Sequence, residues 1–250
     1  MAMSAGLLVA KGICVAHGPA AMRALDCTMD AGQVWGLIGA NGAGKTLLLD
    51  QLVGLALPHA GFINWNGKQA KQLAASDWSQ LVSYQPAHAA HGFDATVLER
   101  LTQLPGVTTQ QAAQCLDQLA LLGLAHRLWS SLSDGEQQRA WLGQRLLQQS
   151  RIIGLDEPLS HQDLRHQLVI GDALQQAAQR GALVIAAIHQ LDWMTRYCTH
   201  VIAVTQAGQW LKGRIEDVID EQSLQAIYGR QFIRILANDC GSSTPRYVVI

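Results

Sequence analysis

The sequence predicts an α/β fold in which a mostly parallel sheet is covered by helices on both faces. Short apolar runs alternate with segments of helical periodicity along most of the chain, as in parallel sheets with crossover helices. A glycine-rich loop also stands directly between an apolar run and a helical segment, at residues 39–46. The chain has 250 residues, of which 49% are hydrophobic, and this is enough apolar material for a large core.

The N-terminal region is expected to contribute antiparallel strands. Residues 7–18 and 24–29 partly alternate apolar and polar side chains, which is typical of a sheet with one solvent-exposed face. Asn66-Gly67 predicts a hairpin-type turn, and the helix after the glycine-rich loop is expected to run to about Gly54. Further strands are predicted from short apolar runs at 34–38, 62–65 and 81–84.

The region from 96 to about 149 has a helical pattern. Thr108 or Thr109 is expected to cap a helix that ends at Gly123. The predicted apolar face of this helix consists of Ala112, Leu116, Leu119 and Leu122. Residues 133–136 have the spacing of a capping box and open another helix. Beyond it we expect a strand at 151–155, a helix at 164–180, a strand at 182–188 and a final hairpin with strands at 201–204 and 210–211.

The glycine-rich loop has the phosphate-binding pattern Gly39-Ala40-Asn41-Gly42-Ala43-Gly44-Lys45-Thr46, in which two glycines flank four residues and Lys-Thr follows. Glycines let the backbone curl so that successive N–H groups face an anion, and the following helix adds the positive end of its dipole. Lys45 is expected to reach the β- and γ-phosphates of a nucleotide, and Thr46 to offer its hydroxyl to Mg²⁺. The alternative is a glycine-rich turn without a ligand.

Three further candidate positions stand at predicted strand ends. The strand before Asp156 and Glu157 delivers two carboxylates, and we expect Asp156 to hold Mg²⁺ and Glu157 to polarise an attacking water. The alternative for this pair is an acidic helix start before Pro158. Gln85 can contact Mg²⁺ or the attacking water, and His189 can donate to a γ-phosphate. Taken singly, a glutamine such as Gln85 is far more often an ordinary surface amide, and a histidine such as His189 is usually structural, so both gain weight only from their position among the other motifs.

Residues 132–139, the signature segment, read Leu-Ser-Asp-Gly-Glu-Gln-Gln-Arg and resemble the signature motif of ATP-binding cassette (ABC) proteins, usually Leu-Ser-Gly-Gly-Gln. The order of motifs along nearly the whole chain is also similar to that of an ABC ATPase. The resemblance implies a P-loop NTPase (RecA-like) core with a mostly parallel sheet, an N-terminal antiparallel β subdomain and an α-helical signature subdomain. It further implies one ABC ATPase domain over 1–250, with the core at 1–85 and 150–250 and the helical subdomain at 86–149.

The resemblance also implies how ATP is bound and hydrolysed. Two copies of the chain would sandwich two ATP molecules, with the phosphate loop of each copy facing the signature segment of the other. Glu157 would be the catalytic carboxylate and His189 the switch histidine, and Asp163 would be the aspartate of the D-loop. The other implied site residues are Gln85 as a catalytic residue, His17 near the adenine, Thr46, Gln85 and Asp156 for Mg²⁺, and Ser133, Asp134, Gly135 and Glu136 acting in the opposite copy.

The sequence departs from the family pattern in several places. Asp134 replaces the first signature glycine and adds a negative charge near a phosphate, while Glu136 replaces glutamine. Gly154 interrupts the apolar run before Asp156 and is expected to weaken packing slightly. The D-loop reads Ser160-His161-Gln162-Asp163 where the family usually has Ser-Ala-Leu-Asp. His17 stands near the position of the family's adenine-stacking aromatic residue, and imidazole offers less stacking surface than tyrosine.

We expect an ATP-hydrolysing subunit of a membrane transporter that acts with permease subunits. Residues 96–99 resemble the segment where the cassette meets its permease, and residues 216–219 and 223–229 resemble the closing helix of importers for metal chelates. Vitamin B12 is the first expected cargo, and an iron–siderophore or haem the second. The resemblance implies a peripheral protein on the cytoplasmic face of the inner membrane, served indirectly by a periplasmic or lipoprotein substrate-binding protein.

Other functions remain as alternatives at this point. A soluble ABC ATPase of translation or DNA repair usually carries two cassettes or a long coiled-coil insertion, and we find neither repeat nor heptads. A P-loop switch or small-molecule kinase conflicts with the signature segment. A cassette that binds ATP without hydrolysing it conflicts with the presence of Lys45, Glu157 and His189. An ABC ATPase for an amino acid or a lipid is a further alternative.

The charge and cysteine content bear on the partners and the cellular location of the protein. A formal net charge of -1 and a pI near 6.7 give no sign of the basic surface that binds nucleic acid. Residues 1–4 lack a basic start, so no signal peptide is expected, and the apolar runs are too short to span a bilayer. The cysteines are scattered and are expected to be reduced thiols of a cytosolic protein: Cys14, Cys27, Cys115, Cys198 and Cys240.

Overall fold

The computed structural model describes residues 6–21, 23–87, 95–235 and 246–249. The strands are β1 (Leu8–Ile13), β2 (Leu25–Met29), β3 (Val34–Ile38), β4 (Phe62–Trp65), β5 (Val82–Gln85), β6 (Ile152–Asp156), β7 (Leu183–Ala187), β8 (His200–Val204), β9 (Trp210–Arg214), β10 (Phe232–Ile235) and β11 (Arg246–Val249). The α-helices are α1 (Lys45–Leu52), α2 (Ala75–Leu81), α3 (Val97–Thr102), α4 (Thr109–Gln118), α5 (Asp134–Leu147), α6 (Leu164–Gln179), α7 (Leu191–Tyr197), α8 (Ile215–Val218) and α9 (Glu221–Tyr228).

The central sheet has six strands in the order β5-β6-β7-β3-β8-β9. All neighbours are parallel except β8 and β9, which pair antiparallel and confirm the predicted hairpin. Alternate residues of β3 enter two different cores: Val34 and Ile38 pack with α6, whereas Trp35 and Leu37 pack with α1. Helices therefore cover both faces of the sheet, which is why β3, β6 and β7 are buried throughout and, apart from Asp156 at the end of β6, apolar. This confirms the predicted fold class.

A three-stranded antiparallel sheet, β2-β1-β4, packs on the α1 side of the central sheet. The turn after β4 is a two-residue turn, closed by reciprocal backbone hydrogen bonds between Trp65 and Lys68. Both central residues have positive φ, 50° at Asn66 and 79° at Gly67, as the Asn-Gly pair predicts. Within the described chain, no strand pairs with β4 across this turn: Lys68 forms only an isolated bridge with Trp65, and a short 3₁₀ helix begins at Ala70.

The helices α3, α4 and α5 form a separate layer over part of the core. Thr108 is the N-cap of α4, as predicted, and accepts a hydrogen bond from the backbone of Gln111. The prediction that this helix runs to Gly123 is wrong. It ends at Gln118 because Ala120 adopts a left-handed conformation, φ 55°, and Leu122 is consequently 47% exposed rather than part of the buried face.

Two α-helices and two strands were not predicted from the sequence: α2, α7, β10 and β11. Helix α2 is exposed along most of its length and buries only Leu81, so it has no apolar stripe to detect. Helix α7 has only seven residues. Strands β10 and β11 pair antiparallel but lack a regular alternation of buried apolar and exposed polar residues, since Ile233 and Val248 are exposed. The expected weakening at Gly154 is also wrong: a Cβ there would collide with Val53 and meet Tyr84 at 3.4 Å, so glycine allows α1 to approach β6 closely.

Within the described part of the chain, we find no helix that is both long enough and apolar enough to cross a membrane. Four of the five cysteines are free and buried, as expected for reduced thiols: Cys14, Cys27, Cys115 and Cys198. Cys240 and residues 1–4, on which the expectation of no signal peptide rests, lie outside the described residues.

Candidate functional site

Four adjacent strands bring the candidate residues to one edge of the sheet. Strands β5, β6, β7 and β3 are parallel neighbours in that order, so their carboxyl ends lie together. Gln85 is the last residue of β5, Asp156 is the last residue of β6, His189 follows β7, and the phosphate loop follows β3. This edge is where α/β sheets bind their ligands.

The phosphate loop has the backbone that its glycines predict. The φ angles are 152° at Gly39, 74° at Gly42 and 90° at Gly44, all in the region that favours glycine. Gly44 is the N-cap of α1, and within the described chain no side chain makes a capping hydrogen bond to this helix. The first N–H groups of a helix have no intrahelical partner, so this N-terminus offers free donors to a phosphate.

Lys45 lies over the loop that precedes it. Its Nζ donates to the carbonyl oxygens of Gly39, at 3.1 Å, and Ala40, at 3.2 Å. Burial lowers the pKa of Lys45, and the charges of Glu157 and Asp156 oppose this shift. The side chain is therefore a partly desolvated cation, and an added anion would strengthen its charged form.

Asp156 and Thr46 form the second part of the site. The Thr46 hydroxyl donates to Asp156, with its Oγ1 3.0 Å from Oδ2. Burial raises the pKa of Asp156, and the charges of Glu157 and Asp50 add to this, while the Thr46 hydrogen bond and Lys45 lower it. A carboxylate crowded by other carboxylates is a good position for a divalent cation.

The donor atoms at this position fit Mg²⁺. The Thr46 hydroxyl and the Asp156 carboxylate are hard oxygen ligands, and the buried Oε1 of Gln85 has no hydrogen-bond partner among the residues that the structure describes. Mg²⁺ prefers such oxygens and usually takes few of them from the protein, since substrate phosphates and waters complete its shell. Thr46, Asp156 and Gln85 are thus the residues that could hold it.

Glu157 lies beside His189 and Ser160. Its Oε1 is 3.0 Å from Nε2 of His189, and its Oε2 accepts a hydrogen bond from the Ser160 hydroxyl at 3.1 Å. Burial raises the pKa of Glu157, but the hydrogen bonds from His189 and Ser160, with the charges of His189 and Lys45, outweigh it and leave the pKa below its ordinary value. Glu157 is thus held as an ionised carboxylate that can accept a proton from water.

Gln85 is fixed to the helical layer as well as to the sheet. The residue is 2% exposed, and its Nε2 donates to the backbone oxygen of Gln138 at 3.1 Å. Gln138 belongs to α5 and in turn donates from Nε2 to the backbone oxygen of Glu157 at 2.7 Å. Gln85 therefore connects to the Glu157 turn through α5.

His17 lies next to the phosphate loop with an exposed side chain. A Cβ on Gly44 would lie 3.1 Å from the His17 carbonyl oxygen, and one on Gly18 would lie 2.9 Å from that of Ala43. The backbone of residues 17–18 thus packs directly on the loop. This location permits the imidazole to stack on the base of a nucleotide bound there.

The signature segment opens α5. Ser133 is its N-cap, and Glu136 accepts hydrogen bonds from the Ser133 N–H at 2.8 Å and from its hydroxyl at 2.9 Å. The glutamate that replaces the family's glutamine therefore completes the predicted capping box. Asp134 is exposed in the first turn. Among the described residues, no hydrogen bond joins 133–136 to the phosphate loop of the same chain.

Asp163 is placed at the start of the next helix. Its carboxylate accepts a hydrogen bond from the backbone of His166 at 2.8 Å and caps α6. The sequence did not predict the contacts of four polar residues around it and around Glu157: Ser160, Gln138, Arg139 and Gln162. One signal was present, because Gln162 stands where the family pattern has an apolar leucine.

Comparison with known proteins gives consistent results. The family model described as "ABC transporter" matches residues 22–160. A hemin import ATP-binding protein HmuV of Ruegeria sp. (strain TM1040) is 36% identical over 212 residues, which cover 80% of this chain and 81% of the relative. The achromobactin transport ATP-binding protein CbrD of Dickeya dadantii (strain 3937) is 29% identical, covering 82% of this chain and 80% of the relative.

A similar fold occurs among solved structures. One chain comes from a metal-chelate type ABC transporter described in an inward-facing conformation. It has a TM-score of 0.80 with 23% sequence identity, and the match covers 98% of this chain and 97% of the other. At this level of identity, the similarity concerns the fold.

Proposed function

This chain belongs to the ABC transporter family as an ATP-binding, ATP-hydrolysing subunit with a P-loop NTPase (RecA-like) fold, and from this premise we propose that it drives import of an iron chelate through a partner permease. The observation that carries the catalytic part is the shared edge at which the phosphate loop, Asp156, Glu157 and His189 meet. We also propose the division into a core at 1–85 and 150–250 and a helical subdomain at 86–149.

We assign the chemistry of this edge as follows. The loop N–H groups and Lys45 bind the phosphates of ATP, because free backbone donors and a desolvated cation converge there. Thr46, Asp156 and Gln85 would hold Mg²⁺, which would supply positive charge against the phosphates. Glu157 orients the attacking water and accepts its proton, and His189 fixes the carboxylate by its hydrogen bond. His17 stacks on the adenine.

We propose that two copies complete each site. The signature segment makes no hydrogen bond to its own phosphate loop within the described residues, although Ser133 is the N-cap and Gly135 lies in the first turn of a 14-residue helix, where backbone N–H groups have no intrahelical carbonyl partner. A second copy facing the first would place these donors against ATP held by the other phosphate loop. Asp134 and Glu136 would lie at the same contact, and Asp163 would lie beside it.

The cargo proposal rests on relatives rather than on the site. Relatives with 36% and 29% identity are named for hemin import and for transport of achromobactin, and another, at 28% identity, is named for a probable siderophore system. These names favour haem or an iron–siderophore over vitamin B12, which the sequence resemblance placed first. We infer a peripheral position on the cytoplasmic face of the inner membrane, with permease subunits as direct partners and a periplasmic or lipoprotein binding protein as an indirect one.

Two substitutions test the catalytic assignment. Lys45→Ala should remove most ATP binding, because it deletes the cation that faces the phosphates. Glu157→Gln should retain ATP binding but stop hydrolysis, so that ATP and Mg²⁺ shift this variant to a dimer in size-exclusion chromatography. Wild-type hydrolysis by Glu157→Gln would rule out this carboxylate as the proton acceptor.

Uptake measurements test the cargo. Deleting the gene should abolish uptake of labelled haem or of a ferric siderophore, and a plasmid copy should restore it whereas a Glu157→Gln copy should not. Loss of labelled cobalamin uptake alone would return vitamin B12 to first place. Unchanged uptake of all three would refute a metal-chelate cargo and leave the ATPase assignment intact.

A further inference from the structure

A buried hydrogen-bond network connects the start of α5 to the turn that carries Glu157. We call it the amide network; it consists of the three amides Gln85, Gln138 and Gln162 and the guanidinium of Arg139. All four residues are buried, with exposures between 2% and 8%. Gln85 donates to the backbone of Gln138, and Gln138 donates to the backbone oxygen of Glu157 at 2.7 Å. The network therefore spans the end of β5, the signature helix and the loop after β6.

Gln162 closes this network from the D-loop. Its Nε2 donates to the backbone oxygen of Gly135 at 2.8 Å and lies 3.4 Å from Oε1 of Gln138. Its Oε1 accepts a hydrogen bond from Nη1 of Arg139 at 2.6 Å. One amide thus binds a signature residue with its donor and a neighbouring guanidinium with its acceptor. Leucine, which the family usually has here, can do neither.

Arg139 depends on this amide because it has few other partners. Its Nε donates to the backbone oxygen of Leu119 at 3.2 Å, and its Nη1 reaches the oxygen of Gly135 only at 3.4 Å. Arg139 is 5% exposed, and a buried charge needs hydrogen-bond acceptors. The bond to Gln162 is the shortest contact that Arg139 makes in the described chain.

The backbones on the two sides of the network are in close contact. A Cβ on Gly135 would lie 2.6 Å from the carbonyl oxygen of His161 and 3.2 Å from Nε2 of Gln162. Glu157 and His161 both have left-handed φ angles, 48° and 60°, which are unfavourable for non-glycine residues. A loop with two such residues keeps one conformation only when its surroundings fix it, and the amide network provides that fixation.

We propose that Gln162 is a positioning residue for ATP hydrolysis: its amide holds the signature helix and the Glu157–Asp163 loop of one chain as a single unit. This inference rests on the proposed two-copy arrangement. In that arrangement the signature residues of a chain serve one ATP and its Glu157 serves the other. A rigid connection inside the chain then links the geometry of one ATP site to that of the other.

The test compares Gln162→Met with Gln162→Glu. Methionine keeps the length and volume but makes none of the polar contacts, whereas glutamate keeps an acceptor for Arg139 and loses the donor to Gly135. In the chain assembled with its permease, we expect turnover of ATP to fall about 10–100-fold in Gln162→Met, since small misplacements of catalytic groups cost this much. Gln162→Glu should be intermediate. The affinity of the isolated chain for ATP should stay within about twofold in both variants, because no bond of Gln162 among the described residues reaches the chain's own phosphate loop.

Hydrogen exchange of the isolated chain tests the connection without any hydrolysis. Gln162→Met should speed exchange in residues 134–138 and 157–163 together and leave the rest of the chain unchanged. The matched control is Gln118→Met, which removes another amide–amide hydrogen bond, to Gln176 at 3.2 Å, outside the network. It should change neither exchange in these segments nor turnover.

Two results would overturn the inference. One is wild-type turnover and exchange in Gln162→Met. The other is a parallel loss of turnover, ATP affinity and protection across the chain, which would indicate a general loss of structure. If the wild-type assembly shows no hydrolysis that depends on Lys45, the proposed function fails. The exchange experiment then decides alone whether Gln162 connects the two segments. Faster exchange confined to both segments would support the connection, and unchanged exchange would refute it.

Discussion

Replacing Gly135 or Gly143 by alanine compares two glycines of α5 that face different neighbours. A Cβ on Gly135 would lie 2.6 Å from the backbone oxygen of His161, whereas a Cβ on Gly143 would meet only side-chain atoms, the nearest being Leu119 Cδ1 at 3.2 Å. A backbone oxygen cannot rotate away as a leucine methyl can. The D-loop must therefore move by about 0.4 Å or more in Gly135→Ala, because close-packed interiors have no spare room.

Gly135→Ala should lower the free energy of unfolding, whereas Gly143→Ala should leave it unchanged or raise it. Overpacking costs about 1–3 kcal/mol, and replacing a helical glycine by alanine gains at most about 1 kcal/mol. Gly135→Ala should therefore lose about 1–2 kcal/mol, which lowers Tm by about 2–8 °C in a chain of this size. Gly143→Ala should be neutral or gain up to about 1 kcal/mol, since its contacts are with flexible side chains.

Thermal unfolding and ATP turnover, measured on both variants, provide the assay. We expect Gly135→Ala to lose turnover as well as stability, because movement of the D-loop carries Gln162 and the Glu157 turn with it. Gly143→Ala should keep wild-type turnover. Equal Tm values for the two variants, with turnover intact in both, would show that the approach of His161 to Gly135 is not as close as the structure places it.

Three further predictions concern single side chains. Asp134→Gly should lower Tm slightly, because it removes a first-turn carboxylate worth about 0.3–1 kcal/mol and adds a helical glycine; a tighter ATP-driven dimer would instead place this carboxylate against a phosphate. His17→Ala should weaken ATP about fivefold if stacking contributes about 1 kcal/mol, and should leave inorganic triphosphate binding unchanged. Ser160→Ala should raise the pKa of Glu157 and shift the acid limb of the pH–rate profile upward, since it deletes one of the hydrogen bonds that hold this pKa below 4.5. Because the pKa of Glu157 is lower in the folded chain than in the unfolded one, its ionised form stabilises the fold above pH 4.5, and this contribution disappears as pH falls through the lowered pKa. An unshifted acid limb in Ser160→Ala would contradict the role of the Ser160 hydrogen bond.

The sequence predicted the parts of this molecule that depend on short-range patterns. The phosphate loop, the caps at Thr108 and Ser133 and the strand that ends at Asp156 each follow from a local spacing, and the structure has them. The amide network could not be predicted in this way. Gln162 bonds to residues 27 and 23 positions earlier, so only the packing of α5 against the D-loop brings these groups together.

The same limit explains the errors at Gly154 and α4. A glycine in an apolar run suggests poor packing when only its neighbours in sequence are considered, but Val53 of a different element occupies the space. The leucine pattern of α4 continues past Leu119, and only the left-handed turn at Ala120 ends the helix. Both features depend on tertiary contacts or on one backbone angle, and neither is encoded in hydrophobic periodicity.

The position of Glu157 follows from bonds to its backbone as much as from those to its carboxylate. Its N–H donates to the oxygen of Ala187, the last residue of β7, at 3.0 Å, and its carbonyl accepts from Gln138 of α5 at 2.7 Å. The sheet therefore holds the peptide group before Glu157 and the helical layer holds the one after it, which allows a left-handed φ of 48° to persist. A change in the packing of α5 against β5, far from the carboxylate itself, then acts on hydrolysis through the bond from Gln138. Any rotation of the helical layer relative to the sheet must either break the hydrogen bond from Gln138 to Glu157 or move the Glu157 backbone with it. Glu157 can therefore respond directly to a partner that contacts only the helices.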